Sequence, residues 1–171
     1  MNRRGYLSIT ASGTVAVLSG CLGDDDQRPT DGDDGKENGD ESISYDDPVE
    51  LLLEPADLNN GWEIAGEESS GQYAQRTLDH DSESAVSMTA EVHETQENAR
   101  TAYLDAEENL AENHTIDPVQ TGAEDAFGVD LSEGSMVVFR NGNATGNAES
   151  WGEGVETAAE FVNKMVESTD A

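Results

Sequence analysis

Apolar residues recur with a period of two in the middle of the chain. From Val86 to Val92 every second residue is apolar and those between are polar, which predicts a strand with one buried face. Met136 to Arg140 is mostly apolar at successive positions, as in a central strand that is buried on both faces. The Asn141-Gly142 pair that follows predicts a hairpin. Less regular strands are predicted at residues 62–64, 72–78, 126–131 and 143–148.

Two other stretches have the period of an amphipathic helix. The first begins after Thr95, a residue type suited to capping, and extends to about Asn113. The second has an apolar stripe near the C-terminal end of the chain. Strands and helices together predict one α+β domain over residues 47–171, in which an antiparallel sheet carries both main helices on one face. The stripe of the second helix consists of Val155, Ala158, Ala159, Val162, Met165 and Val166, with Phe161 beside it.

The first 20 residues have the pattern of an export signal. Arg3 and Arg4 are followed by Gly5, an aromatic residue and a leucine, which resembles the twin-arginine signal. Residues 7–18 carry no charge, but a membrane-spanning helix needs about 20 apolar residues, so this segment is too short to be one. We therefore expect residues 1–20 to be a signal peptide, with the twin-arginine translocase as a partner during export.

A lipoprotein processing motif, or lipobox, ends this segment. Leu18, Ser19 and Gly20 precede Cys21, and the small residues let a peptidase reach the bond before the cysteine. The Cys21 sulfur is the nucleophile that receives the lipid. Because Cys21 is the only cysteine, an intrachain disulfide and a thiolate metal cluster are both excluded. The motif predicts a protein that is held by lipid on the extracellular face of the cell membrane; an uncleaved signal anchor is the alternative.

Acidic residues dominate the rest of the chain. Asp and Glu number 38 against 8 Lys and Arg, and the formal net charge is -30. Residues 21–46 have few large apolar side chains as well, which predicts a lipidated cysteine followed by a disordered acidic linker. So many acids exclude binding to nucleic acid, because its phosphates would be repelled. Their spread along the chain favours a surface adapted to molar salt over a dedicated cation site, and it resembles the proteins of halophilic archaea.

Three features of the domain together resemble a known kind of module. They are the stretch from Met136 to Asn143, the approach from Leu58 to Trp62 and the terminal helix. They are similar to small secreted domains of the Mog1/PsbP-like kind, which include lipoproteins of actinobacteria and haloarchaea. The resemblance implies a binding or assembly module more than an enzyme.

Candidate chemistry outside the N-terminal motifs is sparse. The histidines lack the spacing of metal ligands and no serine lies in a nucleophile motif, so the sequence predicts no catalytic residue, metal or cofactor. Arg140 is either an anion clamp for a ligand or half of a structural ion pair. Trp62 either covers a ligand groove or seals an edge of the core. Asn113 and Asn143 each begin an N-glycosylation sequon.

These observations favour a non-enzymatic surface module. We expect a membrane-anchored extracellular lipoprotein that binds a protein partner or a small ligand. The alternative is a small surface hydrolase or a cation-binding protein. A deep pocket lined by converging polar side chains would favour the hydrolase.

Overall fold

The computed structural model describes residues 43–81, 84–152 and 154–167. The predicted signal peptide, the lipobox and nearly all of the predicted linker lie outside these residues, so the roles of Arg3, Arg4 and Cys21 stay predictions. The core contains residues that precede the predicted domain start at residue 47. Tyr45 is buried in it, so the packed part of the chain begins earlier than the sequence indicated.

Seven strands form a single sheet in which every neighbouring pair is antiparallel. The first three follow one another as a meander, and the last four form a second meander that returns to the centre of the sheet. The order across the sheet is β1-β2-β3-β7-β6-β5-β4. The strands are β1 (Trp62–Ser70), β2 (Tyr73–His80), β3 (Ala85–Val92), β4 (Ile116–Pro118), β5 (Asp125–Leu131), β6 (Gly134–Asn141) and β7 (Ala144–Trp151).

Two helices connect and complete the meanders. Helix α1 (Gln96–Ala111) follows β3, and the Thr95 side chain caps it by accepting a hydrogen bond of 3.1 Å from the Asn98 backbone amide. Helix α2 (Val155–Glu167) follows β7. The predicted α+β class, the antiparallel sheet and the two main helices are confirmed.

The two helices pack on opposite faces of the sheet, which corrects the prediction that both lie on one face. The ring of Tyr103 in α1 packs at a tilt against that of Phe127, with centroids 5.4 Å apart, in a cluster that includes Val138. The buried side of α2 packs in a separate cluster with Val137 and Phe139. Val137 and Val138 are neighbours in β6, so their side chains point to opposite faces. A strand that is apolar on both faces must be covered on both faces, and each helix covers one of them.

The α2 face is covered across both meanders. Helix α2 contacts β5, β6 and β7, while an N-terminal segment with two 3-10 turns, Pro48–Leu51 and Pro55–Asp57, covers β2 and β3. Leu51 and Leu53 of this segment are almost fully buried. On the α1 face, helix α1 packs mainly on β4, β6 and β7, and none of the described elements makes extensive contact with β2 and β3 from that side. The sheet therefore has one closed face and one half-open face.

Arg76 anchors the N-terminal segment to the sheet. Its side chain points to the α2 face and the residue is only 2% exposed. The guanidinium donates to the carbonyl oxygens of Leu52 and Leu53 at 3.0 and 3.1 Å, and it pairs with Glu54 and Glu67 at 3.0 and 2.6 Å. A single buried cation thus satisfies two backbone carbonyls and two carboxylates that would otherwise repel each other.

The predicted hairpin joins β6 to β7, but its loop is one residue later than the sequence indicated. Asn141 pairs with Ala144, which leaves Gly142 and Asn143 as the two loop residues. Gly142 has a φ of 57°, and a Cβ there would collide with the carbonyl oxygen of Ile43. Glycine at the first loop position is the requirement of a type II′ turn.

Candidate functional site

A cavity of about 250 Å³ lies between the start of β1, the end of β2 and helix α2. It opens on the α2 face, where the N-terminal segment and the helix meet. Trp62, His80 and Phe161 supply aromatic walls, and Glu160 and Lys164 lie in its lining as well. We call this feature the Trp62 cavity. The lining thus combines apolar and aromatic side chains with polar and charged ones in similar measure.

The aromatic walls are held by ring contacts. Trp62 meets Phe161 edge to face, with centroids 5.5 Å apart and an interplanar angle of 81°, and it meets His80 at 4.9 Å. The His80 Nε2 atom lies 3.2 Å from the carbonyl oxygen of Asn60. Gly61 makes this packing possible, because it has a φ of 102° and a Cβ there would lie 2.7 Å from His80 Nε2. Any residue with a side chain would push His80 away from Trp62.

The charged part of the cavity lining comes from α2. Glu160 and Lys164 are one helical turn apart, so both end groups reach the same side of the opening. Within the part of the chain that the structure describes, Lys164 is the only lysine and has no ion pair. Arg76 and Arg140, by contrast, are fully occupied by carboxylates. In a strongly acidic protein, the cavity therefore has a positive group available for a ligand.

Arg140, the other predicted ligand-binding residue, is on the opposite face of the sheet. Its guanidinium pairs with Glu124 at 2.6 Å and with Asp125 at 2.7 Å. Burial lowers the pKa of Arg140, but hydrogen bonds and charge from Asp125 and Glu124 outweigh that effect and raise it. This geometry matches the structural ion pair that was the second interpretation of the residue. The structure thus does not bring Trp62 and Arg140 into one site.

Tyr103 lies near this ion pair beneath α1. Burial raises the pKa of its phenol to about 12, with further contributions from the negative charges of Glu107 and Asp125, while Arg140 opposes them. The phenol therefore stays neutral at every physiological pH. It serves the packing of α1 on the sheet and offers no base or nucleophile.

The two predicted glycosylation sequons have very different surroundings. Asn143 is buried, and its Nδ2 donates to the carbonyl oxygens of Tyr45 and His93, both at 3.0 Å, while its Oδ1 accepts from the Tyr45 amide at 2.7 Å. This arrangement is incompatible with a glycan on Asn143 in the folded domain. Asn113 is exposed just after α1, so its glycosylation stays a prediction.

A second polar surface occupies the open half of the α1 face. Side chains from β2, β3 and β7 lie there in three adjacent rows, and Trp151 stands at one end of them. The pairing register places Gln75 beside Thr89 and Thr89 beside Asn147. No local pattern predicts this surface, because its residues come from distant segments and only strand pairing brings them together.

Sequence reasoning also missed most of the Trp62 cavity. The sequence pattern places Phe161 beside the core stripe of the last helix. It places His80 in a turn, flanked by carboxylates. Among the described residues no group of three or more His, Cys, Asp and Glu side chains could hold a metal ion, so His80 does not belong to such a cluster. The position of Gly61 just before Trp62 was the one local signal that a side chain packs closely there.

Two further findings bear on the classification of the chain. None of its described helices is both long and apolar enough to span a membrane. No protein-family model, curated protein or solved structure shows a significant match to this chain.

Proposed function

We propose that this chain is an extracellular lipoprotein, tethered by a lipid on Cys21, whose domain binds a small organic ligand in the Trp62 cavity. The observation that carries the proposal is the combination of aromatic walls with an ammonium group that has no ion pair among the described residues. The Mog1/PsbP-like resemblance, which implies a binding or assembly module, agrees with this proposal. An acidic linker would hold the domain clear of the membrane surface.

The cavity lining indicates the class of ligand. Typical ligand pockets measure about 300–1,000 Å³, so a cavity of about 250 Å³ accepts only a small molecule. Trp62 and Phe161 favour an aromatic or apolar body, and Lys164 favours a carboxylate on it. The negative field of the protein would repel such an anion in dilute buffer. Molar salt shortens the screening length to about 3 Å and leaves the contact with Lys164 as the main electrostatic interaction.

A pair of probes that differ only in charge tests this proposal. Phenylacetate and phenylacetamide are titrated into the full-length chain in 1 M KCl, and binding is followed by calorimetry. We expect phenylacetate to bind about fivefold more tightly, which corresponds to about 1 kcal/mol. Lys164→Gln should abolish this difference and Lys164→Arg should retain most of it. If neither compound binds, the proposed function is wrong; if both bind equally, the carboxylate assignment fails.

Attachment to the membrane is tested separately. Cys21→Ser should move the protein from the membrane fraction to the medium or leave its signal uncleaved, because the thiol that accepts the lipid is gone. Mass spectrometry of the wild-type N-terminus should find the lipid on Cys21. A wild-type protein without that lipid would remove the basis for the tether. Replacing Arg3 and Arg4 with lysine should trap folded precursor inside the cell, whereas unchanged export would indicate the general secretory route.

A further inference from the structure

Helix α1 has an exposed row of side chains on a side that does not pack on the sheet. Leu104 is 47% exposed, the largest fraction among the exposed large hydrophobic residues that the structure describes. Arg100 and Glu108 are exposed as well, and they lie one helical turn before and one turn after Leu104. Because residues four apart are neighbours on a helix surface, the three side chains form one row. We call this row the α1 stripe.

Arg100 differs from the two other arginines that the structure describes. Arg76 and Arg140 each form ion pairs with two carboxylates. Among the described residues no carboxylate lies within ion-pair distance of Arg100, although the chain has 38 acidic residues. The helix gives one reason, since the positions four before and four after Arg100 are Gln96 and Leu104 and neither is an acid. An exposed guanidinium thus lies beside an exposed leucine on the surface of an acidic domain.

A groove of about 560 Å³ lies beside the α1 stripe. Arg100 and Leu104 line it from helix α1, and residues of β4 and β5 line its other side. Its apolar lining includes Ile116, Pro118 and Phe127, so Leu104 does not stand alone on a polar surface. Carboxylates line the groove as well, from Glu107, Asp117, Glu124 and Asp125. A partner that packs on Leu104 can therefore bury further apolar surface in the groove, provided that it brings apolar or basic side chains.

The order of charges along the α1 stripe makes it complementary to a second copy of itself. The leucine is at the centre, with a cation four residues before it and a carboxylate four residues after it. If two such helices cross antiparallel at Leu104, then Arg100 of each copy lies opposite Glu108 of the other, as in an isologous two-fold contact. One turn further out, Glu97 lies opposite Ala111, so no two acids are opposed there. A uniformly basic partner would instead be repelled by Arg100, and a uniformly acidic one by Glu108.

We propose that the domain forms a homodimer through helix α1, with the α1 stripes of the two copies packed antiparallel about a two-fold axis near Leu104. A helix of 16 residues is about 24 Å long, so the contact is smaller than a standard protein interface and the dimer is weak. Two copies with a net charge of -30 each repel one another in dilute buffer. Molar salt shortens the screening length to about 3 Å and removes most of this repulsion, while close ion pairs are screened less. The α1 stripe and the Trp62 cavity are on opposite faces, so the two proposals stand or fall separately.

Analytical ultracentrifugation of the full-length chain in 1 M KCl tests the proposal, with a reductant present to keep Cys21 from forming a disulfide. The wild type should change from monomer to dimer as its concentration rises, and it should dimerise less in dilute buffer. Leu104→Ser should weaken the dimer about tenfold, because each copy loses its central apolar contact. Ile64→Ser is the matched control and should leave the dimer unchanged, since Ile64 is 46% exposed but lies in β1 on the opposite face.

A charge exchange tests the antiparallel arrangement. Arg100→Glu should weaken the dimer about tenfold, because Glu108 of the other copy then faces a carboxylate. The double variant Arg100→Glu/Glu108→Arg has the net charge of the wild type and restores opposite charges across the axis. Its affinity should therefore return to within about twofold of the wild type. Circular dichroism of each variant verifies that it is folded.

A cysteine at position 104 locates the axis. In a Cys21→Ser background, Leu104→Cys should form a disulfide between two copies on oxidation, because the two side chains meet at the axis, whereas Ile64→Cys should not. Any of four results would overturn the proposal. The wild type stays monomeric up to its solubility limit, Leu104→Ser and Ile64→Ser dimerise alike, the charge-exchanged double variant is as weak as Arg100→Glu, or position 104 does not crosslink.

Discussion

The two faces of the sheet are formed by the same strands but are covered by other elements to different extents. The α2 face is closed along its length by α2 and the N-terminal segment, and it contains the main core cluster. The α1 face is covered only over its second half, where Tyr103, Phe127 and Val138 form a smaller cluster. On β3 the contrast occurs between neighbours: Met88 is fully buried on the α2 face, while Thr89 faces the open half of the α1 face. Whether a strand has apolar or polar side chains on a given face therefore depends more on whether another element covers that face than on the position of the strand in the sheet.

This comparison separates residues that hold the fold from residues available for binding. The closed face has the Trp62 cavity at one margin, where aromatic walls meet the ammonium group of Lys164. The open face offers a flat polar surface. The following predictions test whether the two faces differ as described, beginning with the effect that acts on the whole surface.

The largest expected effect concerns the acidic surface of the chain as a whole. We predict that the full-length chain melts at a markedly higher temperature in 2 M KCl than in 50 mM KCl. Repulsion among so many carboxylates takes a large share of a folding free energy of about 5–15 kcal/mol, and salt screens it. A parallel melt in sodium sulfate measures the separate contribution of salting-out. A melting temperature that is independent of KCl would favour specific cation sites over a general acidic surface.

The next effect compares buried and exposed ion pairs on the two faces. Arg76→Met should lower the free energy of unfolding by about 3 kcal/mol, because two backbone carbonyls and two carboxylates lose their partner. Arg140→Met should cost about 1 kcal/mol, since the Arg140 side chain is 13% exposed against 3% for Arg76 and its main partners are carboxylates that water can solvate. Urea unfolding in 2 M KCl measures both variants. Equal losses would mean that the N-terminal segment does not depend on Arg76.

A smaller effect concerns Glu149, which lies on the open half of the α1 face. Burial raises the pKa of Glu149, so its ionised form opposes folding. The associated stability is present below the normal pKa of about 4.5 and is lost as the pH rises through the raised value. Glu149→Gln should therefore be more stable than the wild type at pH 7, by up to about 0.5 kcal/mol, and equal to it near pH 3.5. The exposed Glu108→Gln is the control for the loss of one negative charge; an equal gain there would remove any special role of Glu149.

Local patterns were sufficient to predict most of the elements. The alternation from Val86 to Val92 and the Thr95 cap predicted β3 and the start of α1. The three-residue β4, which ends in Pro118, is too short for a periodic signal. The hairpin was placed one residue early because Asn141 and Gly142 fit one turn type while the chain uses another. Each of these results depends on residues that are close in sequence.

The arrangement of the elements was harder to predict, because it depends on contacts between distant residues. Both faces of β6 are apolar, and this already implied cover on both sides, but the pattern does not say which helix covers which face. The polar surface on the open half of the α1 face can be recognised only from the register of three strands. To predict the Trp62 cavity from the sequence, Phe161 would have to be recognised both as a core residue and as part of the cavity wall. Arg140 and Trp62 were predicted separately, and the sequence does not show where they lie relative to each other. Only the fold shows that they are on opposite faces.

The two tryptophans of the chain provide the most direct test of the central claim, since Trp62 lines the cavity and Trp151 lies at the end of β7 on the α1 face. Each indole N–H gives a separate resonance in a ¹H–¹⁵N spectrum, and substitution of either tryptophan by phenylalanine assigns them. Titration with phenylacetate in 1 M KCl should shift the Trp62 resonance and leave that of Trp151 in place. A shift of both resonances to the same extent, or of neither, would contradict a ligand site confined to the Trp62 cavity.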